Sequence, residues 1–437
     1  MLRGLSEKNI DIRDISNNFI FFKFNFCENS IFALYKHNYL NLKKYIFFIF
    51  LLLGTNYSCD SNEPKGDQVD AFLKDEEPEE IKKEVILDFD DEVVSKIDHF
   101  FSYRNKIGRF NGVILFAEGN TVFQKAYGYA NFRNKDSLTI NTSFQLASVS
   151  KTVTSTAVLI LKDRGQLELT DSVQKFLPQF PYKGITIEQL LSHRSGLGNY
   201  IYWTEKYWKD QDSLMSNDDV LRLMSEHRPA VYYSPNRRYY YNNTNYLLLA
   251  SIVESVSGMS FEDFLKKNIF IPLEMDNSFL LTRSNIQTHE SATGYKNKRR
   301  PYSFFFLDGV HGDKGLYSTV GNLYKFDRAL RKGVLLSDST KADAYTNRSK
   351  YYRKPYGLGW RLNSYKGNRI IYHHGWWRGF KTYFIRNIEE DKTIIILSNT
   401  VNGSRLNNKM LLKLFDDALK SSSFATEEDS LEDNVKV

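Results

Sequence analysis

Ser148 and Lys151 lie three residues apart, a spacing that a helix brings to one face. So placed, the lysine amine reaches the serine hydroxyl and can take its proton, which makes the serine a nucleophile for acyl transfer. A helix start adds free backbone N–H groups and a positive partial charge, and both suit the oxyanion formed on attack. The same Ser-x-x-Lys pattern recurs at Ser172 and Lys175. The residues after each copy separate the two. Ser148 leads into the apolar stretch Thr152–Leu161, which would bury the pair in a long helix. Ser172 leads into Phe176-Leu-Pro-Gln-Phe-Pro181, where prolines stop a helix. Ser148 is therefore the candidate nucleophile, Lys151 its proton acceptor, and Ser172 a structural residue.

The elements that must hold this pair can be read from the pattern around it. Asn111–Ala117, Glu118-Gly-Asn120 and Thr121–Tyr127 read as a β-hairpin. A helix is expected over 150–164, with Gly165 as its stop, and another over 261–268. Strand-like runs return at Thr382–Ile388 and Thr393–Leu397. The order implies an α/β (α+β) fold: an antiparallel sheet built from both ends of the chain and flanked by helices, with a mainly helical region inserted between them.

Charge divides the chain. Residues 60–92 hold 14 Asp and Glu against 4 Lys and Arg, and 425–437 hold 5 against 1. Residues 93–424 are left with 47 basic and 29 acidic residues, an excess of 18 positive charges. That field favours an anionic or carboxylate-bearing substrate. Nucleic acid is the weaker reading, because no nucleic-acid-binding signature accompanies the charge. The expected organisation is an N-terminal extension and signal over 1–59, an acidic tether over 60–92, a hydrolase domain over 93–424 and an acidic tail over 425–437. The two cysteines, Cys27 and Cys59, fall outside that domain, and there is no His-Glu-x-x-His pair. No metal or cofactor is therefore expected.

Lys43-Lys44 precedes the apolar run Tyr45–Gly54, whose ten residues suit a secretory signal better than a membrane span of roughly 20. Asn56-Tyr57-Ser58-Cys59 comes next and resembles a bacterial lipoprotein processing site, although Asn56 stands where an aliphatic residue is usual. That resemblance implies an exported, membrane-anchored lipoprotein carrying its lipid on Cys59, at the periplasmic face or cell surface. An uncleaved signal anchor is the alternative.

Phe144–Lys151, Leu161–Asp171 and Ile185–Leu197 together resemble the penicillin-recognising serine hydrolases: class C β-lactamases, D-alanyl-D-alanine carboxypeptidases and their related esterases. The resemblance runs to about Asn399. It implies a second box of the form Tyr-x-Asn. Two registers overlap here, and Pro235 and Tyr246 select Tyr241 with Asn243. Asn243 would hold the Lys151 amine and the substrate amide, and Tyr241 would pass the proton to the leaving group. The third box is Lys-Thr-Gly or His-x-Gly in this family, and His373-His374-Gly375 fits it, with Gly379-Phe380 after it. His373 would offer a donor to a substrate carboxylate, His374 replaces the usual hydroxyl residue, and Gly375 would let substrate approach the strand. The backbone N–H groups of Ser148 and Trp376 would form the oxyanion hole, with Trp376 and Trp377 narrowing the pocket. A plain core role for His373 or for Tyr241 stays open at this level. Gly315–Thr319, Tyr356–Trp360 and Leu397–Asn399 read as architectural.

The implied activity is acylation of Ser148 followed by hydrolysis, on a D-alanyl peptide, a β-lactam or a small ester. The alternative is a non-hydrolytic penicillin-binding or cell-wall-fragment-sensing lipoprotein that acylates and does not turn over. An α/β-hydrolase would need a Gly-x-Ser-x-Gly elbow, which the sequence lacks.

Overall fold

The structure, a computed structural model, describes residues 19–24, 30–35, 87–282, 291–297, 300–303, 305–349, 354–401 and 406–432; of these, 19–24, 30–35 and 421–432 are described in their backbone alone. Cys59, the apolar run before it, residues 60–86 of the acidic tether and residues 433–437 lie outside the described residues. The chain forms two compact units, Met1–Ile81 and Lys82–Val437. In the first, Phe19–Phe24 and Ser30–Tyr35 pair antiparallel.

The second unit is built on a six-stranded antiparallel sheet. Its strands are β1 (Gly112–Glu118), β2 (Thr121–Tyr127), β3 (Arg361–Tyr365), β4 (Asn368–Trp377), β5 (Phe380–Asn387) and β6 (Lys392–Ser398). The spatial order is β3-β4-β5-β6-β1-β2. The two ends of the chain meet where β6 pairs with β1, from Lys392↔Glu118 to Ser398↔Gly112. The central strands are apolar on both faces because both faces are covered. Val113, Leu115, Ile395 and Leu397 face the large helical core, while Ile114, Phe116, Ile394 and Ile396 face a second cluster. The expected hairpin and late strands fall where the sequence placed them, to within a residue or two.

Helix α1 (Asp91–Lys106) and helix α2 (Ser150–Asp163) lie on opposite sides of this sheet. Val93, Ile97 and Phe101 of α1 pack with Leu411 and Phe415 of the C-terminal helix over the second cluster. Asp90 caps α1 by accepting from the Val93 N–H at 2.9 Å. The fold starts before Val93: Leu87 exchanges backbone hydrogen bonds with Asn120 and Val122, and Phe89 packs on Phe415. Residues 87–92 thus belong to the folded unit and not to the tether. At the other end, the C-terminal helix (Asn408–Glu432) continues into the segment expected as an acidic tail.

Every residue of α2 from Ser150 to Leu161 is buried. The helix packs against α3 (Thr244–Ser257), and the two candidate boxes lie at the N-terminal ends of this pair. Helix α4 (Val320–Lys332) closes the same side of the sheet. No helix among the described residues is long and apolar enough to cross a membrane.

Candidate active site

Between Thr142 and Leu161 one residue is not buried, and it is Ser148. Its partial exposure comes from the turn that carries it. Phe144 and Gln145 pair with Leu316–Ser318, and the Leu146 carbonyl accepts a hydrogen bond from Thr382 Oγ1 of β5 at 2.7 Å, so the turn is pinned against the sheet. The chain then reverses through Ala147, at φ 48°, a left-handed conformation that costs a non-glycine residue about 1 kcal/mol or more. Ser148 sits on the 3₁₀ turn Ala147–Val149, which runs directly into α2.

Lys151 is one turn along, wholly buried, with Nζ 3.1 Å from Ser148 Oγ. It donates to Asn243 Oδ1 at 2.8 Å and to the Asp313 carbonyl at 2.8 Å. In the neutral amine those acceptors use both hydrogens and leave the lone pair for the serine proton. Asn243 lies immediately before α3. Its neighbour Asn242 turns away, donating from Nδ2 to the Leu197 carbonyl at 2.6 Å. The geometry thus brings together the members of the Tyr241–Asn243 register. The Tyr241 ring centroid lies 5.1 Å from Lys151 Nζ. Its hydroxyl is buried and has no hydrogen-bond partner among the described residues. His193 packs on the same ring at 4.4 Å, held by the Asn242 N–H on its Nδ1.

Strand β4 forms the opposite wall. Its pairing with β3 ends at Arg361↔Tyr372, so the outer edge of residues 373–377 has no strand beside it. The Ser148 turn packs on the face of β4 and β5 beside that edge. A side chain at Gly375 would overlap the Leu146 carbonyl, 2.3 Å from the Cβ position, and the Thr382 hydroxyl at 2.2 Å. Glycine is needed here for close approach of the nucleophile turn.

The two histidines do not take the expected roles. Strand alternation sends His373 and His374 to opposite faces. His373 faces Tyr241 but is fully buried. Its Nδ1 lies 2.9 Å from the His374 carbonyl, which can only accept, so Nδ1 carries the proton. Nε2, 3.2 Å from the Tyr356 hydroxyl, then accepts. No donor is left for a substrate carboxylate. Burial first, then Arg361 and Lys151, hold this imidazole well below its ordinary range. His374 points to the other layer, where Nε2 is 2.7 Å from Asn408 Oδ1 and the ring packs on Tyr383. It is pushed down to about 4, mainly by burial. Its expected place in substrate binding is corrected by that orientation. The Trp376 side chain is 66% exposed at the end of the strand. Trp377 is anchored by a 2.7 Å hydrogen bond from Nε1 to Asp308 Oδ1.

The sequence reading missed a charged cluster beside Lys151. Lys314, 2% exposed, donates to the Tyr200 hydroxyl at 2.5 Å and to the Val310 carbonyl at 3.2 Å. The Tyr200 hydroxyl is 3.1–3.2 Å from both carboxylate oxygens of Asp313. Burial lowers the Lys314 ammonium from its usual range, against the pull of Asp313 and Asp308. Burial likewise raises the Asp308 carboxyl, opposed by Trp377 and then by Lys314 and Arg378. The cluster fixes the segment whose Asp313 carbonyl holds Lys151. Asp313 and Lys314, flanked by Gly312 and Gly315, were the available signal: adjacent opposite charges between two glycines. Among the described residues no group of three or more His, Cys, Asp or Glu side chains could hold a metal ion.

A nucleophile turn, a buried lysine shared with an asparagine, and a strand edge form a site that can acylate a serine. The chain matches the family model "Beta-lactamase" over residues 98–416. It is 36% identical over 309 residues to penicillin-binding protein 4* of Bacillus subtilis (strain 168), covering 67% of this chain and 68% of that protein. It is 26% identical over 382 residues to a teichoic acid D-alanine hydrolase of Staphylococcus aureus (strain MRSA252), covering 84% and 85%. Among solved structures, the D-amino acid amidase of Ochrobactrum anthropi SV3 shares its fold with TM-score 0.65 and 22% identity, over 76% of this chain and 99% of the other. The octameric penicillin-binding protein homologue from Pyrococcus abyssi does so with TM-score 0.65 and 24% identity, over 75% and 77%. The chain belongs to the beta-lactamase family and is one of its serine hydrolases.

Proposed function

We propose that the chain hydrolyses D-aminoacyl peptides or D-aminoacyl esters through an acyl-enzyme on Ser148. Lys151 takes the hydroxyl proton as Ser148 attacks the carbonyl. The oxyanion forms opposite the backbone N–H groups of Ser148 and Trp376. Tyr241, beside Lys151, carries the proton to the departing amine or alkoxide, and the C–N or C–O bond breaks. Water then attacks the acyl-enzyme, giving up a proton by the same route, and frees Ser148. The observation that carries this reading is the 3.1 Å contact of the buried Lys151 amine with the one residue of its segment that is not buried. The relatives named for D-alanine and D-amino acid hydrolysis support the substrate class. Bicyclic β-lactams are the poorer substrates in this reading, because His373 and His374 are neutral and leave the third box without its fixed cation.

The experiment is a time course of Ser148 labelling by a fluorescent penicillin, alongside steady-state turnover of an acyl-D-Ala-D-Ala peptide, a cephalosporin and a p-nitrophenyl acetate. Turnover of the peptide or ester, with the penicillin adduct decaying, supports hydrolysis. A stable adduct with no turnover of any substrate supports the binding-protein alternative. We also propose attachment to a membrane through lipid on Cys59. Substituting Cys59→Ser should release the protein from the membrane fraction if lipid is the anchor. Retention with an uncleaved N-terminus would point to the apolar run as the anchor.

A further inference from the structure

The largely buried arginines of this fold are matched with carboxylates. Arg386 and Arg331 reach Asp327, Arg328 reaches Asp391, and Arg348 reaches Glu188 and Asp343. Arg361 is not. It opens β3, the edge strand, opposite Tyr372 of β4. Its guanidinium lies 4.8 Å from the centroid of the Tyr241 ring and 6.0 Å from that of Tyr356. Those rings are its neighbours. Among the described residues it makes no ion pair and no side-chain hydrogen bond, although it is half-buried. A guanidinium that has lost much of its water and gained no counter-ion is a site that an anion would complete.

Its position says which part of a substrate that anion belongs to. Lys151 Nζ lies 5.1 Å and the Arg361 guanidinium 4.8 Å from the centroid of the same Tyr241 ring, so both cations attend the tyrosine. His373, 6.1 Å from the same ring, is buried, neutral and engaged at both nitrogens. Besides Lys151, the cation beside the Tyr241 ring is therefore Arg361. A guanidinium is also the side chain whose planar fork fits a carboxylate or phosphate through two parallel hydrogen bonds.

We propose that Arg361 is a specificity-determining residue that binds an anionic group, carboxylate or phosphate, on the leaving-group side of the scissile bond. The assignment of side rests on the acyl-enzyme reading above, in which Tyr241 delivers the proton to the leaving group. The surroundings extend the same preference. The Tyr239 ring is 5.5 Å from Tyr356 and lines a cleft of about 440 Å³ with Arg194, Arg237, Arg238 and Arg348. Glu188 offsets Arg194 and Arg348, while Arg237 and Arg238 are exposed and have no carboxylate partner among the described residues. The cleft is thus a second basic feature, on the far side of the Tyr239–Tyr356 ring pair from Tyr241, and its field favours anions.

The test uses two matched pairs. One is acetyl-D-Ala-D-Ala and its C-terminal amide. The other is the D-alanyl ester of glycerol phosphate and the D-alanyl ester of glycerol. Both kcat/KM and protection of Ser148 from a fluorophosphonate label are measured, so that affinity is read even where turnover is slow. The expected result is a preference of roughly tenfold or more for the charged member of at least one pair, a charge-assisted contact of about 1.5 kcal/mol or more. Which pair shows it identifies carboxylate or phosphate as the source. In Arg361→Gln the charged member should fall to the level of its neutral partner, and Arg361→Lys should restore part of the preference. Equal rates within both pairs in the wild type would overturn the proposal. So would a preference that survives in Arg361→Gln, or a loss in that variant that is equal for charged and neutral members, which would make Arg361 a support for Tyr241. Fluorophosphonate labelling separates the two readings. If Ser148 is labelled and charge makes no difference, the anion site alone fails; if Ser148 is not labelled, the acyl-enzyme reading fails.

Discussion

Ser148–Lys151 and Ser172–Lys175 share one four-residue pattern, and the fold puts them in opposite environments. Lys151 is wholly buried on a 14-residue helix and is held by an asparagine and a carbonyl. Lys175 is on a four-residue helix, its side chain 54% exposed, and it pairs with Asp171 at 2.8 Å. Ser172 is exposed and precedes a short helix; Ser148 emerges from a strained turn pressed against a sheet. The spacing brings an amine near a hydroxyl in either place. Only in the first is the amine stripped of solvent and carboxylates, with its hydrogens assigned to other acceptors.

The sharpest way to break this contrast is to remove each serine. Ser148→Ala should abolish fluorophosphonate labelling and lower kcat/KM by about 10³-fold or more. Ser172→Ala should leave both unchanged. Mass-spectrometric mapping that finds label on Ser172 would reverse the assignment.

Removing the amines gives the next largest effect. Lys151→Ala should slow acylation by ~10²–10⁴-fold, the usual range for loss of a general base, in a protein whose circular dichroism is native. Wild-type acylation in that folded variant would mean another group receives the Ser148 proton.

Much of this was legible because it depends on period and order. The apolar run after Ser148 marked the buried helix, and the hairpin and late strands marked a sheet closed by the two chain ends. The family resemblance, through Pro235 and Tyr246, implied the register that puts Asn243, and not Asn242, on Lys151. Apart from the Asp313–Lys314 pair, what was missed has no side-chain signature of its own. The third partner of Lys151 is a backbone carbonyl, which any residue at 313 would supply. The partnerless state of Arg361 depends on what is absent around it, and a sequence does not display absences in space. The error over His374 was avoidable: adjacent strand residues face opposite ways, so His373 and Gly375 could not share the site face with His374.

That alternation also has a readout at acid pH, because burial lowers both histidines. His374 titrates near 6.5 when unfolded and is pushed down to about 4 in the fold. The unfolded chain therefore takes the proton first. The stability this residue contributes is fully present above about pH 6.5 and is lost as pH falls toward 4, amounting to about 3 kcal/mol at most. His373 shifts in the same direction. Urea midpoints at pH 7 and pH 5 should differ less in His374→Gln than in wild type, by about 2 kcal/mol in the derived stabilities. An identical pH dependence in the two proteins would show that His374 is not held neutral by the fold. Over pH 6–8 neither histidine changes charge, so kcat/KM should show no limb from the third box.

The smallest effect belongs to the exposed copy, and its smallness is what the contrast requires. Lys175 and Asp171 are four residues apart, and the lysine is more than half exposed. The carboxylate is lowered from its ordinary value by Lys175 and by the Glu168 N–H against its own desolvation. Water and salt screen such a pair, and fixing a long side chain costs entropy, so pairs of this kind contribute about 0.3–0.5 kcal/mol. Lys175→Ala should therefore lower stability by no more than that, with the difference shrinking at 1 M salt. Acylation of Ser148 should be unchanged. A loss of several kcal/mol would mean that the Ser172 segment is a structural anchor rather than a surface turn. A loss of acylation with stability intact would be the more damaging result, because it would tie the second Ser-x-x-Lys pattern to the chemistry of the first.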